Sequence, residues 1–244
     1  MTAAADTLPP LRADLVWTQR ELLDRLARPG NWFSGAERLA IAAESRRADT
    51  CALCRERAAA LSPEHARGDH DRATALPDAL VELAHRVRSD PRRLSRAWFD
   101  RIRGAGVDEG AYVEAVGIVA LLAGLDFFCL AIGRAPYPLP EAVAGEPSRH
   151  RPAGARPGPG WVATVAPVDA SGPEADLYPK LPLIPNITRA LSLVPDHVRV
   201  LRSLTKSHYV ALEDLTNPAV GRDLDRMQIE LVAARVSALN ECFY

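Results

Sequence analysis

From Pro136 to Pro173 the chain holds nine prolines and five glycines. Each proline locks its own φ and removes an amide donor, so this stretch reads as an extended linker rather than as a packed helix or sheet. It divides the chain into a first helical unit at 1–135, a linker at 136–175 and a second helical unit at 176–244. Outside it, no run alternates apolar and polar residues for long enough to make a strand, and apolar residues recur at helical spacing. The expected fold class is all-α, with two related helical units.

Helices are expected at about 11–26, 34–47, 51–61, 78–88, around Trp98, at 111–133, and then at about 186–193, 195–213 and 225–239. Ser34 with Glu37 spells a capping box, Pro29-Gly30 ends the first helix, and Val107-Asp108 caps the long one. Residues 111–133 are almost wholly apolar, but Glu114 and Asp126 leave an uncharged stretch between them shorter than the roughly 20 residues a membrane span needs. A buried core helix fits better, with Cys129 as a small core hydrophobe and Trp98, Phe99 and Tyr112 as further core residues.

Thirty basic against 31 acidic side chains give no bulk electrostatic attraction to nucleic acid or to an anionic membrane. The opening Met1-Thr-Ala-Ala-Ala-Asp6 lacks the basic start and apolar core of a signal peptide. Four cysteines in a protein of this size do not make a disulfide framework. The expected location is cytoplasmic, with cysteines kept for chemistry or metal.

Cys51-Ala-Leu-Cys54 sits at a helix start, where two thiols on one turn can join as a disulfide and the helix N-terminus favours a thiolate. A thiolate that attacks a peroxide becomes a sulfenic acid, which a neighbouring thiol condenses to a disulfide. Zinc is the competing use of such a pair. Cys51 and Cys54 followed by His65 and His70 imitate a zinc finger, but the interval and the helical flanks do not fit one. His85, in Val81-Glu-Leu-Ala-His85, is a core histidine or a base supplied from another element. His197 and His208 are expected to be solvated on a polar helix. Glu37 belongs to its cap.

A faint copy of these surroundings recurs near the end. Asp225-Arg-Met-Gln228 opens a helix that reaches Cys242 at the same interval that separates Ser34 from Cys51. The run from Glu230 to Cys242, with Val236-Ser-Ala-Leu-Asn240 inside it and Pro185 to Leu191 before it, resembles the alkyl hydroperoxidase D-type family of the carboxymuconolactone decarboxylase-like superfamily. Glu37 to Cys54, Leu94 to Trp98 and Tyr112 to Gly117 resemble the same superfamily in the first half. That family's motif is a glutamate twelve residues before C-x-x-C and a histidine four residues after it. The resemblance implies an alkyl hydroperoxide reductase-like peroxidase with no cofactor and no metal. Its partners would be a small hydroperoxide and a dithiol reductant protein, in a homo-oligomer with no role for nucleic acid or membrane.

The motif is complete in neither half. In the register of the caps Leu39 stands where Glu230 stands, and Ala58 occupies the histidine position after Cys54. Glu230 and Cys242 match the motif, but its second thiol position lies beyond Tyr244. Selenoprotein members of the family suggest that the frame continues there through a UGA codon; a cloned fragment or a frameshift is the alternative. Candidate catalytic residues are therefore Cys51, Cys54, Glu230, Cys242 and His85. The rival readings are a lactone decarboxylase, which needs no cysteine pair, and a degenerate domain kept for oligomerisation or redox sensing.

Overall fold

The computed structural model describes residues 10–181, 184–240 and 242, so the expected continuation past Tyr244 lies outside the described residues. Among these, nine α-helices and one two-stranded ladder are present: α1 (Ala13–Ala27), α2 (Gly35–Arg47), α3 (Ala52–Ala59), α4 (Asp78–Ser89), α5 (Arg96–Gly104), α6 (Glu109–Ala131), β1 (Ala155–Arg156), β2 (Thr164–Val165), α7 (Asn186–Arg189), α8 (Pro195–His208) and α9 (Arg226–Leu239). The mostly helical fold follows the sequence expectation. Its boundaries follow local chemistry. Ser34 and Glu37 close the expected capping box on α2, and Asp225 with Gln228 closes another on α9. Asp108 accepts the Gly110 amide at 2.7 Å to start α6. α7 stops after one turn at Arg189, short of the expected residue 193, and Pro195 disfavours helical torsions at Val194 (φ −125°, ψ 83°), which separates α8 from it.

α2, α4 and α6 pack against one another, α1 lies against α2 and α8, and α3 abuts α4. The central α6 is long and apolar enough to cross a membrane, yet most of it is buried in the core. Its two interior carboxylates are the reason it settles there in one orientation. Glu114 pairs with Arg38 of α2 and accepts the Trp32 amide at 2.6 Å. Asp126 meets Arg46 of α2 at 2.7 Å and Arg88 of α4 at 3.5 Å. A buried carboxylate without a partner would be very costly, so each fixes the azimuth of α6 against its neighbours.

Two expectations are corrected by the packing. Gly117 of α6 lets α8 approach so closely that a Cβ there would lie 2.0 Å from His197 Nδ1. His197 is consequently buried rather than solvated, and burial drives its pKa far down. His208 is half-buried, with its ring edge-on to Phe128 and bonded to Gln19 at 3.0 Å.

The proline-rich segment is extended, as its composition dictates, and it is also bonded to the helices. Val143 donates to Ala27 O at 2.8 Å, Ser148 to Gly30 O at 2.9 Å and Arg149 to Asn31 O at 2.8 Å. β1 and β2 pair antiparallel within it. Leu177, Leu193, Val194 and Val198 share one apolar core with Leu22, Ile41 and Ile118, so the core continues across residues 136 and 175. α9 differs: Met227, Leu231, Val232, Val236 and Leu239 are exposed.

Replacing Glu114 with alanine leaves the Arg38 guanidinium buried without its partner. The expected loss is about 3–5 kcal/mol, seen as a lower denaturant midpoint. Removing Arg96, whose pair with Asp100 is exposed, should change stability by under about 1 kcal/mol.

Candidate functional site

α3 begins at Cys51, whose extended torsions (φ −66°, ψ 128°) make it the N-cap, and Cys54 follows one turn on. Both thiols are free and buried, at 0% and 1% exposure. Two histidines from other elements meet them. His85, on the inward face of α4, places Nδ1 3.3 Å from Cys54 Sγ. His70, in the loop between α3 and α4, places Nδ1 3.5 Å from Cys51 Sγ and 3.6 Å from Cys54 Sγ. The rings approach with centroids 4.2 Å apart.

Each histidine is held from behind by a carboxylate. His85 Nε2 lies 3.0 Å from Glu44 Oε2, and His70 Nε2 lies 2.8 Å from Glu82 Oε2. A carboxylate only accepts, so both Nε2 atoms carry protons and both Nδ1 atoms face the sulfurs. Glu44 projects from α2 and is fully buried. It also accepts the Ala73 amide at 3.0 Å, the Thr74 amide at 2.7 Å and the Thr74 hydroxyl at 2.6 Å. Glu82 takes further bonds from Arg57 at 2.7 Å and the Trp98 indole at 3.0 Å. The Asp71 amide donates to Cys51 Sγ at 3.4 Å, and Asp71 Oδ2 accepts the Ala52 amide at 2.8 Å at the start of α3.

The electrostatics follow from these contacts. Burial raises the Cys51 pKa, but the Cys54 amide, His70 and the Asp71 amide outweigh it and bring the thiol below its ordinary value. Burial lowers the His70 pKa, but its bonds to Cys54, Glu82 and Cys51 push it up to about 10. His85 moves the other way, lowered by burial and by the nearby His70 charge against the pull of Glu44. Burial opposes ionisation of Glu82, yet His70, Arg57 and Trp98 hold it down at about 2. These contacts shift Cys51 toward its thiolate form beside a protonated His70, and His85 toward its neutral form beside Cys54.

Cys51, Cys54 and His85, expected from the sequence, are thus brought together. Glu230 and Cys242 are placed elsewhere: Glu230 accepts from the Tyr209 hydroxyl and pairs with Arg226, and the Cys242 thiol is exposed. His65, in the zinc-finger reading, is exposed and takes no part in the cluster. The sequence reading missed Glu44 and Glu82, and placed His70 only in that finger-like spacing. The one signal for Glu44 was a charged residue within the apolar run Ala40-Ile-Ala-Ala-Glu44.

No family model, no curated protein and no solved structure matches the chain.

Glu44→Ala removes the acceptor of four hydrogen bonds at once. The expected loss is about 1–3 kcal/mol for each buried donor left without an acceptor. The loop at 66–76 should also become a site of limited proteolysis under conditions where the unaltered protein resists cleavage.

Proposed function

We propose that this chain is a thiol-dependent oxidoreductase that reduces hydroperoxides at Cys51 and Cys54. The observation that carries the reading is the line Glu44–His85–Cys54, a buried carboxylate orienting an imidazole whose free nitrogen faces a thiol. It supplies, from α2 and α4, the proton relay that the spacing around the cysteines lacks. The resemblance to the alkyl hydroperoxidase D-type family supports the same chemistry and is the basis for reading the helical units as related copies. A lactone decarboxylase has no use for the paired thiols.

In this reading Cys54 gives its proton to His85 Nδ1 and its sulfur attacks the terminal oxygen of the hydroperoxide. The O–O bond breaks, His85 returns the proton to the departing alkoxide, and Cys54 becomes a sulfenic acid. Cys51, bonded by His70 and the Asp71 amide, then attacks the Cys54 sulfur. The S–O bond breaks, and hydroxide leaves as water with a proton from His70. A dithiol protein returns two electrons to the disulfide. The homo-oligomer stays an expectation of the resemblance.

The thiols are buried, and an open cleft of about 510 Å³ lined by Arg57, Ala66, Glu82 and Trp98 reaches only the Glu82 carboxylate that holds His70. Hydrogen peroxide should therefore react faster than a bulky alkyl hydroperoxide. The test is peroxide consumption by the metal-free chain with an excess of a dithiol. Cys54→Ser should abolish turnover, and Cys51→Ser should halt it at a sulfenic acid that a carbon-acid reagent traps. Turnover that survives Cys54→Ser but not Cys242→Ser would move the site to the second half and defeat the assignment.

A further inference from the structure

We propose that Cys51, Cys54, His70 and His85 form a closed tetrahedral site for one zinc(II) ion. Their four donor atoms all lie within 4.8 Å of one another. Zinc bonds of about 2.3 Å to sulfur and 2.0–2.1 Å to nitrogen give a tetrahedron whose sulfur–nitrogen edge is about 3.6 Å. The observed sulfur–nitrogen distances are 3.3 Å from Cys54 to His85, 3.5 Å from Cys51 to His70 and 3.6 Å from Cys54 to His70. A disulfide couple needs only the sulfurs close together. Here two imidazoles are also held at metal-ligand spacing around them.

The surroundings favour the same ion. Each Nδ1 points inward because its Nε2–H is engaged by Glu44 or Glu82, the outer-shell arrangement that fixes tautomer and ring orientation in zinc sites. The Asp71 amide on Cys51 Sγ is placed to stabilise a bound thiolate. Two thiolates neutralise a divalent cation inside a shell whose sulfurs and His85 are closed to water. Sulfur and nitrogen donors exclude calcium and magnesium, and four protein ligands leave no open coordination position, the pattern of a structural centre. The ligands come from the start of α3, the following loop and α4, so the ion would fasten an irregular segment to two helices. Loading releases the thiol protons and occupies both sulfurs. One hydroperoxide and two protons would convert the loaded centre to a disulfide, an alcohol, water and free zinc(II). The proposal stands whether or not the pair turns over peroxide.

The test titrates the reduced full-length chain, stripped by a chelator, with cobalt(II) and then zinc(II). The expected result is the visible absorption of tetrahedral cobalt and its thiolate charge-transfer band, saturating at one ion per chain and abolished by zinc. His70→Gln, on the loop, should lose the tetrahedral spectrum while its helical circular dichroism persists. Glu82→Gln, a positioning change, should keep the spectrum and weaken zinc binding by about 10- to 100-fold. His65→Gln should bind as the unaltered chain does. A folded, reduced chain with no tetrahedral cobalt spectrum overturns the proposal, as does undiminished binding by a folded His70→Gln. Peroxide consumption by the stripped chain, measured separately, decides the thiol peroxidase reading, so the two can fail independently.

Discussion

The Glu44 carboxylate is the interaction on which the cysteine centre depends. It sits at 0% exposure with its charge answered by a neutral imidazole, a hydroxyl and two backbone amides. Burial alone would favour its protonated form, but the Thr74 hydroxyl, His85 and the Thr74 and Ala73 amides bring its pKa below the ordinary value. One side chain on α2 therefore does two tasks. It sets the ring of His85 on α4, and it pins residues 73–74 of the loop that carries His70. The cysteines contribute neither constraint. They receive a prepared environment from the helices around them.

The same economy appears in α6. A helix that is apolar on every side, as α6 is apart from its few charges, has no rotation set by its apolar surface alone. Glu114 and Asp126 remove that degeneracy, because Arg38 is reached only from one azimuth and Arg46 with Arg88 from another. Such pairs add little net stability over apolar replacements, but breaking one partner is severe. Their contribution here is to orientation. They hold α2 and α4 in register on α6, and so hold Glu44 opposite His85.

Helix positions were legible wherever a local device marked an end. Ser34 with Glu37, Asp108, Pro195 and Asp225 with Gln228 each act within one turn, so their meaning survives without knowledge of the fold. The proline-rich segment was legible as extended, but the amides at 143, 148 and 149 gave no sign of where they would bond. The site was half legible. Cys51 and Cys54 announce themselves by spacing, and His85 by its apolar neighbours. Glu44, His70 and Glu82 join them from three elements through contacts that no periodicity encodes. Glu230 shows the reverse: a suggestive interval from Cys242 on an exposed helix, where Tyr209 and Arg226 engage it.

The pairing of α1 with α8 bears on how the chain reaches this state. Thr18 meets Ser207 at 2.8 Å, Gln19 meets His208 at 3.0 Å, and Arg12 caps Ser207 O, all across about 190 residues of sequence. The contacts around Glu44 span at most 41 residues. Loop-closure entropy favours the shorter loops first. The hydrogen-bond partners of the cysteine centre thus lie between Glu44 and Trp98, while α1 has one face that only α8 covers. The thiol site draws on contacts of short sequence range, and the outer wall of the fold on contacts between its two ends.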